Sequence, residues 1–284
     1  MTKAALFVVA TPIGNLDDLT IRAKKTLENC DLIAAEDTRH TRKLLNLVGI
    51  GKKELISYYD QVERQKAPQL IERIIEEDLT LVLVSDAGTP CISDPGYHLV
   101  AEAHKRGVAV HPIPGASAVT SLVSASGLPC NKFAFIGFLP TKKSALEREI
   151  SSWAKSEMPV VYYETPRRLE KSFKIIEKVY PDVMVCVGRE LTKMHEEVKT
   201  MTLAEAIAWS ESHGVLKGEA VVMIGPFKAE DNTLDEDTIR DRAKSAFLKG
   251  ESLRDLVAHF KDSGLSRSDL YKLLLDVKGE LDEE

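Results

Sequence analysis

Residues 83–96 read LVSDAGTPCISDPG, placing two Asp, two Ser, a Thr, two Pro and two Gly directly behind the apolar run 81–84. So many hydroxyls and carboxylates after a buried strand would be costly in a core and suit the holding of a polar ligand. An ordinary strand-to-helix turn, with Ser93 or Asp94 capping the next helix, needs far fewer polar residues. Two more loops share this character: TPIGNLDD, 11–18, behind the apolar run 4–10, and PGAS, 114–117, behind 108–113. In a mostly parallel sheet the three loops open on one edge, where open α/β sheets bind ligands. They predict one composite pocket.

Other chemistries find less support. There is no GxxxxGK[ST] run and no GxGxxG behind the first strand, which argues against a P-loop and an ordinary dinucleotide site. Cys30, Cys91, Cys130 and Cys186 lie far apart beside apolar segments and read as reduced, packed thiols; a nucleophilic Cys91 is the weaker alternative. His98, His104 and His111 have no metal-ligand spacing, so no metal is expected.

The elements that must carry the loops alternate. Strand-like runs at 4–10, 31–35, 81–84 and 108–113 are interleaved with helical patterns at 19–30, 41–47 (behind the EDTRH segment 36–40), 64–77 and 97–105, predicting a parallel or mixed sheet with helices on its faces. After a Pro-marked crossing near 128–139, further runs at 160–163, 183–187 and 220–224 alternate with helices at 142–153, 166–179 and 203–209. The expected domains are 1–127 and 128–228, both α/β, then a polar linker at 229–237 and a helical tail at 238–284. Within the tail, 252–278 reads as two short helices with Gly264 as a stop and Ser266 as a cap. That pattern is helix-turn-helix-like, with Arg267, Ser268, Tyr271 and Lys272 on the second helix; a packing module is the alternative.

The 284 residues carry a formal net charge of -6, which argues against a general electrostatic nucleic-acid binder and leaves room for local basic patches. No apolar run approaches the ~20 residues of a membrane span. The short apolar start leads into TPIG instead of a small-residue cleavage site, so it reads as a first strand and the protein as cytoplasmic.

With the loops set out, the chain resembles the tetrapyrrole methylase superfamily of S-adenosylmethionine (SAM) methyltransferases, and within it the branch called ribosomal RNA small subunit methyltransferase I. The stretches that carry the resemblance are VATPIGNLDDLTIRA (9–23), AAEDTRHTRKLL (34–45), LVSDAGTPCISDPG (83–96) and PIPGASAVTSLVSASGLP (112–129). FIGFLP (135–140), VVYYETPRRL (160–169), GRELTKMHEE (188–197) and GEAVVMIGP (218–226) extend it. The resemblance implies two α/β domains of the tetrapyrrole methylase type, with SAM in the cleft between them, plus the helical tail. It places Pro12, Asp86, Thr89, Ser117, Ala118, Tyr163, Glu164 and Ala220 at positions that meet SAM in the family. TPIGN and DAGTP depart from the glycine-rich stretch and the GDP tripeptide of the tetrapyrrole-modifying members, which favours the ribosomal branch.

The implied reaction is methyl transfer to the ribose 2′-oxygen of a cytidine in the decoding region of 16S rRNA, within the small subunit or its late precursor, by a homodimer. The 2′-hydroxyl requirement excludes DNA. A neutral hydroxyl is a poor nucleophile, so a nearby acceptor should help. The candidate catalytic groups are Glu36, Arg39, Glu164 and Arg189, with Asp37 and Glu190 beside them. Arg39, Arg167, Arg168 and Arg189 are candidates for clamping phosphates, with Arg267 and Lys272 of the tail as further RNA contacts. The bland reading of EDTRHT is a helix start with Asp37 or Thr38 as its cap. Two rivals stand beside the main reading. One is a methyltransferase for a small tetrapyrrole, whose carboxylates the same arginines would suit. The other is a non-catalytic nucleic-acid-binding regulator built around the tail.

Overall fold

A computed structural model describes residues 3–153, 158–212, 217–227, 236–260 and 265–283. They divide into two compact units, an α/β unit through Phe227 and a unit holding the tail.

The α/β unit contains two five-stranded sheets. The first is built from β1 (Ala5–Val9), β2 (Leu32–Ala35), β3 (Glu54–Ser57), β4 (Thr80–Val84) and β5 (Ala109–Ile113), in the order β3-β2-β4-β1-β5. Every pairing in it is parallel, so all five strands end on the same edge. Side chains alternate faces along a strand. Leu6, Leu32, Leu81 and Leu83 pack on one face with α3 (Asp60–Glu76) and α4 (Tyr97–Lys105), while Val9, Ile33, Val82 and Val84 pack on the other with α1 (Ile21–Asn29) and α2 (Thr38–Leu47). Both faces are covered, as an all-parallel sheet requires. Pro112 is tolerated because β5 is an edge strand.

The second sheet is mixed. Its strands are β6 (Ala134–Phe138), β7 (Val160–Glu164), β8 (Met184–Arg189), β9 (Glu197–Thr202) and β10 (Ala220–Ile224), in the order β6-β7-β10-β8-β9. Only β6 and β7 run parallel. Val160, Tyr162, Val185, Val187, Val222 and Ile224 face a core with α6 (Lys143–Ser152), α7 (Leu169–Glu177) and α8 (Leu203–Ser212). The alternate residues Val161, Cys186, Val221 and Met223 pack against Val119, Leu122 and Val123 of α5 (Ala118–Ala125). Helix α5 leaves the first sheet and is buried on the second. Its cluster with β7, β8 and β10 is separate from the two clusters that cover the first sheet.

Two strands were not legible in the sequence. β3 is a four-residue edge strand with only partial burial, so it has no sustained alternation. β9 begins where a charged loop read over 189–197 ends and runs through a stretch to which the sequence assigned no element. Glu197 and Lys199 are turned inward and Val198 is exposed, reversing the usual pattern; charges on an edge strand discourage edge pairing. Ser93 and Asp94 do not cap α4. Its N-cap is Gly96, at φ +140°, with no side-chain cap.

In the tail unit, α9 (Glu236–Phe247), α10 (Leu253–His259) and α11 (Arg267–Glu283) enclose a core of Ile239, Ala243, Leu256, Phe260, Leu270, Leu273, Leu274 and Val277. Ser252 and Ser266 accept the N–H groups of Asp255 and Asp269, each at 3.2 Å, as caps do. Gly264 lies outside the described residues, as does the expected linker as far as residue 235. No described helix is long and apolar enough to cross a membrane.

Candidate active site

The loops beyond β1, β2, β4 and β5 are tied together by hydrogen bonds between backbones and from side chains to backbone. Thr11 and Gly88 exchange N–H···O bonds of 2.8 and 3.0 Å, which join the TPIG loop to DAGTP. The Thr89 hydroxyl donates to the Ala116 carbonyl at 3.2 Å, adding the PGAS loop. Asp86 donates its N–H to Glu36 at 3.3 Å and accepts the Asp37 N–H at 3.1 Å, adding the loop after β2. Gly115 lets the PGAS loop lie against Ala10 at the end of β1: a Cβ there would stand 3.0 Å from the Ala10 Cβ.

These loops form one wall of a cavity of about 420 Å³. The opposite wall comes from the ends of β7, β8 and β10, where Ala220 pairs with Glu164 and with Arg189. The lining includes five carboxylates, Glu36, Asp86, Asp94, Glu164 and Glu219, and no described Lys or Arg. Burial, reinforced by Asp86, Asp60 and Asp37, raises the Glu36 carboxyl above its usual range. Burial also pushes Asp94 up to about 6, with Glu36, Asp86 and Asp60 adding repulsion and a Ser85 hydrogen bond opposing it. Glu164 is raised by burial as well. Its Oε1 accepts the Thr165 N–H at 2.8 Å, while Oε2 is buried with no partner. Such an orphaned oxygen costs roughly 1–3 kcal/mol or more, which a ligand donor would offset.

Of the residues expected to meet SAM, Asp86, Thr89, Ser117, Ala118, Tyr163, Glu164 and Ala220 all line the cavity, whereas at the first loop Ile13 does so and Pro12 does not. Of the catalytic candidates, Glu36 and Glu164 line it; Arg39 and Arg189 do not. Arg39 lies on the surface, its side chain 87 % exposed, and pairs with Asp37 at 2.7 Å. Asp37 also caps α2 by accepting the Arg39 N–H, so the bland reading of EDTRHT describes its backbone. The Arg39 guanidinium holds the Asp37 carboxyl well below the usual carboxylate range. Arg189 binds Glu197 at 2.7 Å and donates to the Lys217 carbonyl at 3.3 Å. Arg168 braces the carbonyls of Leu139 and Pro140 at 3.2 and 2.9 Å and lies 3.4 Å from Glu164. Arg167 is exposed, and so are Arg267 and Lys272 in the tail unit. Glu190 accepts from Lys193 at 3.0 Å and from the Glu219 N–H at 3.0 Å, fixing the loop after β8. The Cys91 thiol is pushed up to about 11 by burial, which disfavours the thiolate a nucleophile needs.

Sequence reasoning missed Asp94 as a wall residue, and missed Glu219, Phe138 and Leu191. Asp94 stood in the loop singled out as a ligand site, but was named there only as a cap in the alternative reading. The others sit in the matching stretches with no spacing signal of their own.

A body of two α/β sheets with a polar cavity at their strand ends is the architecture of a class of methylases. The chain matches the family described as Tetrapyrrole (Corrin/Porphyrin) Methylases over residues 5–207, and it belongs to that family. It is 45 % identical over 222 residues to the ribosomal RNA small subunit methyltransferase I of Halalkalibacterium halodurans, covering 78 % of this chain and 76 % of that one. It is 38 % identical over 281 residues to the protein of that name from Escherichia coli O157:H7, covering 98 % and 97 %. Among solved structures it is similar to a uroporphyrin-III C-methyl transferase from Thermus thermophilus complexed with S-adenyl homocysteine. There the TM-score is 0.53 at 18 % identity, over 78 % of this chain and 97 % of that one. A cobalt precorrin-4 methyltransferase aligns with a TM-score of 0.55 at 15 % identity, over 78 % and 95 %.

Proposed function

We propose that the protein transfers a methyl group from SAM to the ribose 2′-oxygen of a cytidine in the decoding region of 16S rRNA, acting on the small subunit or its late precursor. The observation that carries this reading is the cavity wall: five carboxylates with no described basic residue among them. A cation fits there, and SAM brings a sulfonium and an ammonium. The volume of about 420 Å³ lies within the range of small-molecule sites. Asp86 and Asp94 would meet the positive end of SAM, and the Glu164 Oε2 would accept from its hydroxyls or its amine. Thr89, Ser117, Ala118, Tyr163 and Ala220 would frame the remainder.

SAM supplies an electrophilic methyl on sulfur; the C–S electron pair leaves as a thioether when the new C–O bond forms. The chain's part is to align the hydroxyl and take up its proton. Glu36 is the candidate acceptor, a carboxylate on the wall already raised by burial. Arg39 and Arg167 are exposed and outside the cavity, where phosphates of a large substrate would lie.

The tetrapyrrole alternative is disfavoured by the same wall. An acidic macrocycle needs cations, yet Arg168 and Arg189 are committed to main-chain oxygens and to Glu164 and Glu197. A non-catalytic regulator leaves the cavity unexplained. From the resemblance we also infer a cytoplasmic homodimer, which sedimentation of the purified protein tests.

The functional test is transfer of labelled methyl from SAM to small subunits from cells lacking this gene, followed by nuclease mapping, with naked 16S rRNA and a tetrapyrrole precursor in parallel. Label on one cytidine ribose is the expected result. Label on the macrocycle, or none despite SAM binding, overturns the reading.

A further inference from the structure

Phe138 is an exposed aromatic residue on the lining of the acidic cavity, 58 % accessible. Its position is built by the backbone. The β6–β7 register shifts between Phe135 and Phe138, and Gly137 inside the shift takes φ +69°, a conformation that favours glycine. Irregularities of this kind re-aim a side chain beside a functional site. The ring rests on Tyr163 at 5.3 Å between centroids, and Tyr163 meets Phe135 edge-on at 5.0 Å. Across the lip is the loop of DAGTPCISDPG. Ile92 is 40 % exposed and also lines the cavity, and the Ser93 hydroxyl stands 3.1 Å from where a Gly137 Cβ would be. Cys91 and Ser93, on either side of Ile92, both take positive φ, which non-glycine residues rarely adopt.

We propose that Phe138, together with the exposed Ile92 of the same cavity lining, is the stacking surface for the heterocyclic base of the target nucleotide, turned out of its RNA strand. The inference rests on the reading of the protein as a ribose methyltransferase for RNA. Charge decides the occupant. A wall of Glu36, Asp86, Asp94, Glu164 and Glu219 repels phosphodiesters, so the strand stays outside and only the neutral nucleoside approaches the cavity. What the lip offers that nucleoside is an aromatic face and an aliphatic side chain. These suit the π-face of a base and cost the cofactor's charged groups nothing. Stacking of this kind accepts any base, so Phe138 positions the ribose without choosing the cytidine.

The test uses the full chain and separates the two ligands. Affinity for S-adenosylhomocysteine is measured by calorimetry, and methyl transfer from SAM to unmethylated small subunits by steady-state kinetics. Phe138→Ala should lower kcat/KM for subunits by about tenfold or more, the size of a lost base stack. Affinity for S-adenosylhomocysteine should stay within twofold of wild type, and Phe138→Trp should restore transfer. Equal loss of affinity for S-adenosylhomocysteine would assign the ring to the cofactor and overturn the proposal. Unchanged transfer in Phe138→Ala would overturn it too. Failure of the wild-type protein to methylate subunits while it binds S-adenosylhomocysteine would overturn the underlying functional reading, and the proposal with it.

Discussion

Glu36 and Asp86 are joined across neighbouring strands: the Asp86 N–H donates to the Glu36 carboxylate at 3.3 Å, while the Asp86 carboxylate accepts the N–H of Asp37 at 3.1 Å. β2 and β4 are adjacent and parallel, so the residues that follow them emerge side by side. Each carboxylate is held by the other loop's backbone. Two acids that would repel in solution are thereby fixed on one wall, together with Asp94.

Asp94 contributes to the pH dependence beside Glu36 and Glu164, which burial also raises. Its carboxyl stands at about 6 in the folded chain against an ordinary 3.8, so the folded state holds the extra proton between those values. Stability therefore falls as pH rises through that window. Asp94→Asn should raise the thermal midpoint at pH 7, measured by calorimetry, while weakening SAM binding. In the wild type, SAM affinity should fall between pH 7 and pH 5 as this carboxylate is protonated, and the variant should lose the part of that dependence that Asp94 contributes beside the raised Glu36 and Glu164.

The orphaned Glu164 oxygen makes a second claim. Glu164→Gln keeps the shape but leaves the Arg168 guanidinium without its buried carboxylate partner, so thermal stability should fall. Affinity for S-adenosylhomocysteine should drop about tenfold or more, the loss expected for a hydrogen bond to a charged group. Isothermal titration reads both the affinity and the enthalpy of the missing bond.

Gly218 takes φ +95°, and a Cβ there would run into the Glu190 carboxylate. Gly49 takes φ +77° in open space, away from the cavity lining. Alanine at either position should cost about 1 kcal/mol or more in backbone strain, read by urea denaturation. Only Gly218→Ala should also abolish binding of S-adenosylhomocysteine, because it displaces Glu190 and Glu219 at the cavity edge.

Arg39 and Arg167 test the RNA side. Both are exposed and neither lines the cavity, so Arg39→Ala and Arg167→Ala should leave the thermal midpoint and cofactor affinity unchanged. Methyl transfer to subunits should weaken and lose about one unit of salt slope per phosphate contact removed. Arg267→Ala with Lys272→Ala should do the same if the tail docks on RNA; unchanged transfer would assign the tail to packing.

The amino-acid order pointed to four of the five strands of the first sheet, as a parallel or mixed sheet, and to the polar loops at their ends; the family resemblance supplied most of the individual lining residues named in advance. Strand periodicity and clusters of Gly, Pro, Asp and Ser are local signals, and they survive in a linear reading. The edge strands β3 and β9 escaped because one is too short and the other hides its charges inward. Which arginines reach solvent and which are drawn to distant partners was also beyond the sequence. Arg39, Arg168 and Arg189 look alike in a string, yet Arg39 is exposed while Arg168 and Arg189 are spent on residues up to 29 positions away. Asp94 and Phe138 became wall residues only through tertiary structure, because a sheet end, a register shift and a strained loop had to meet in space. A side chain's chemistry is written in its type; its surroundings, which set its charge and accessibility, come from distant chain brought close by packing.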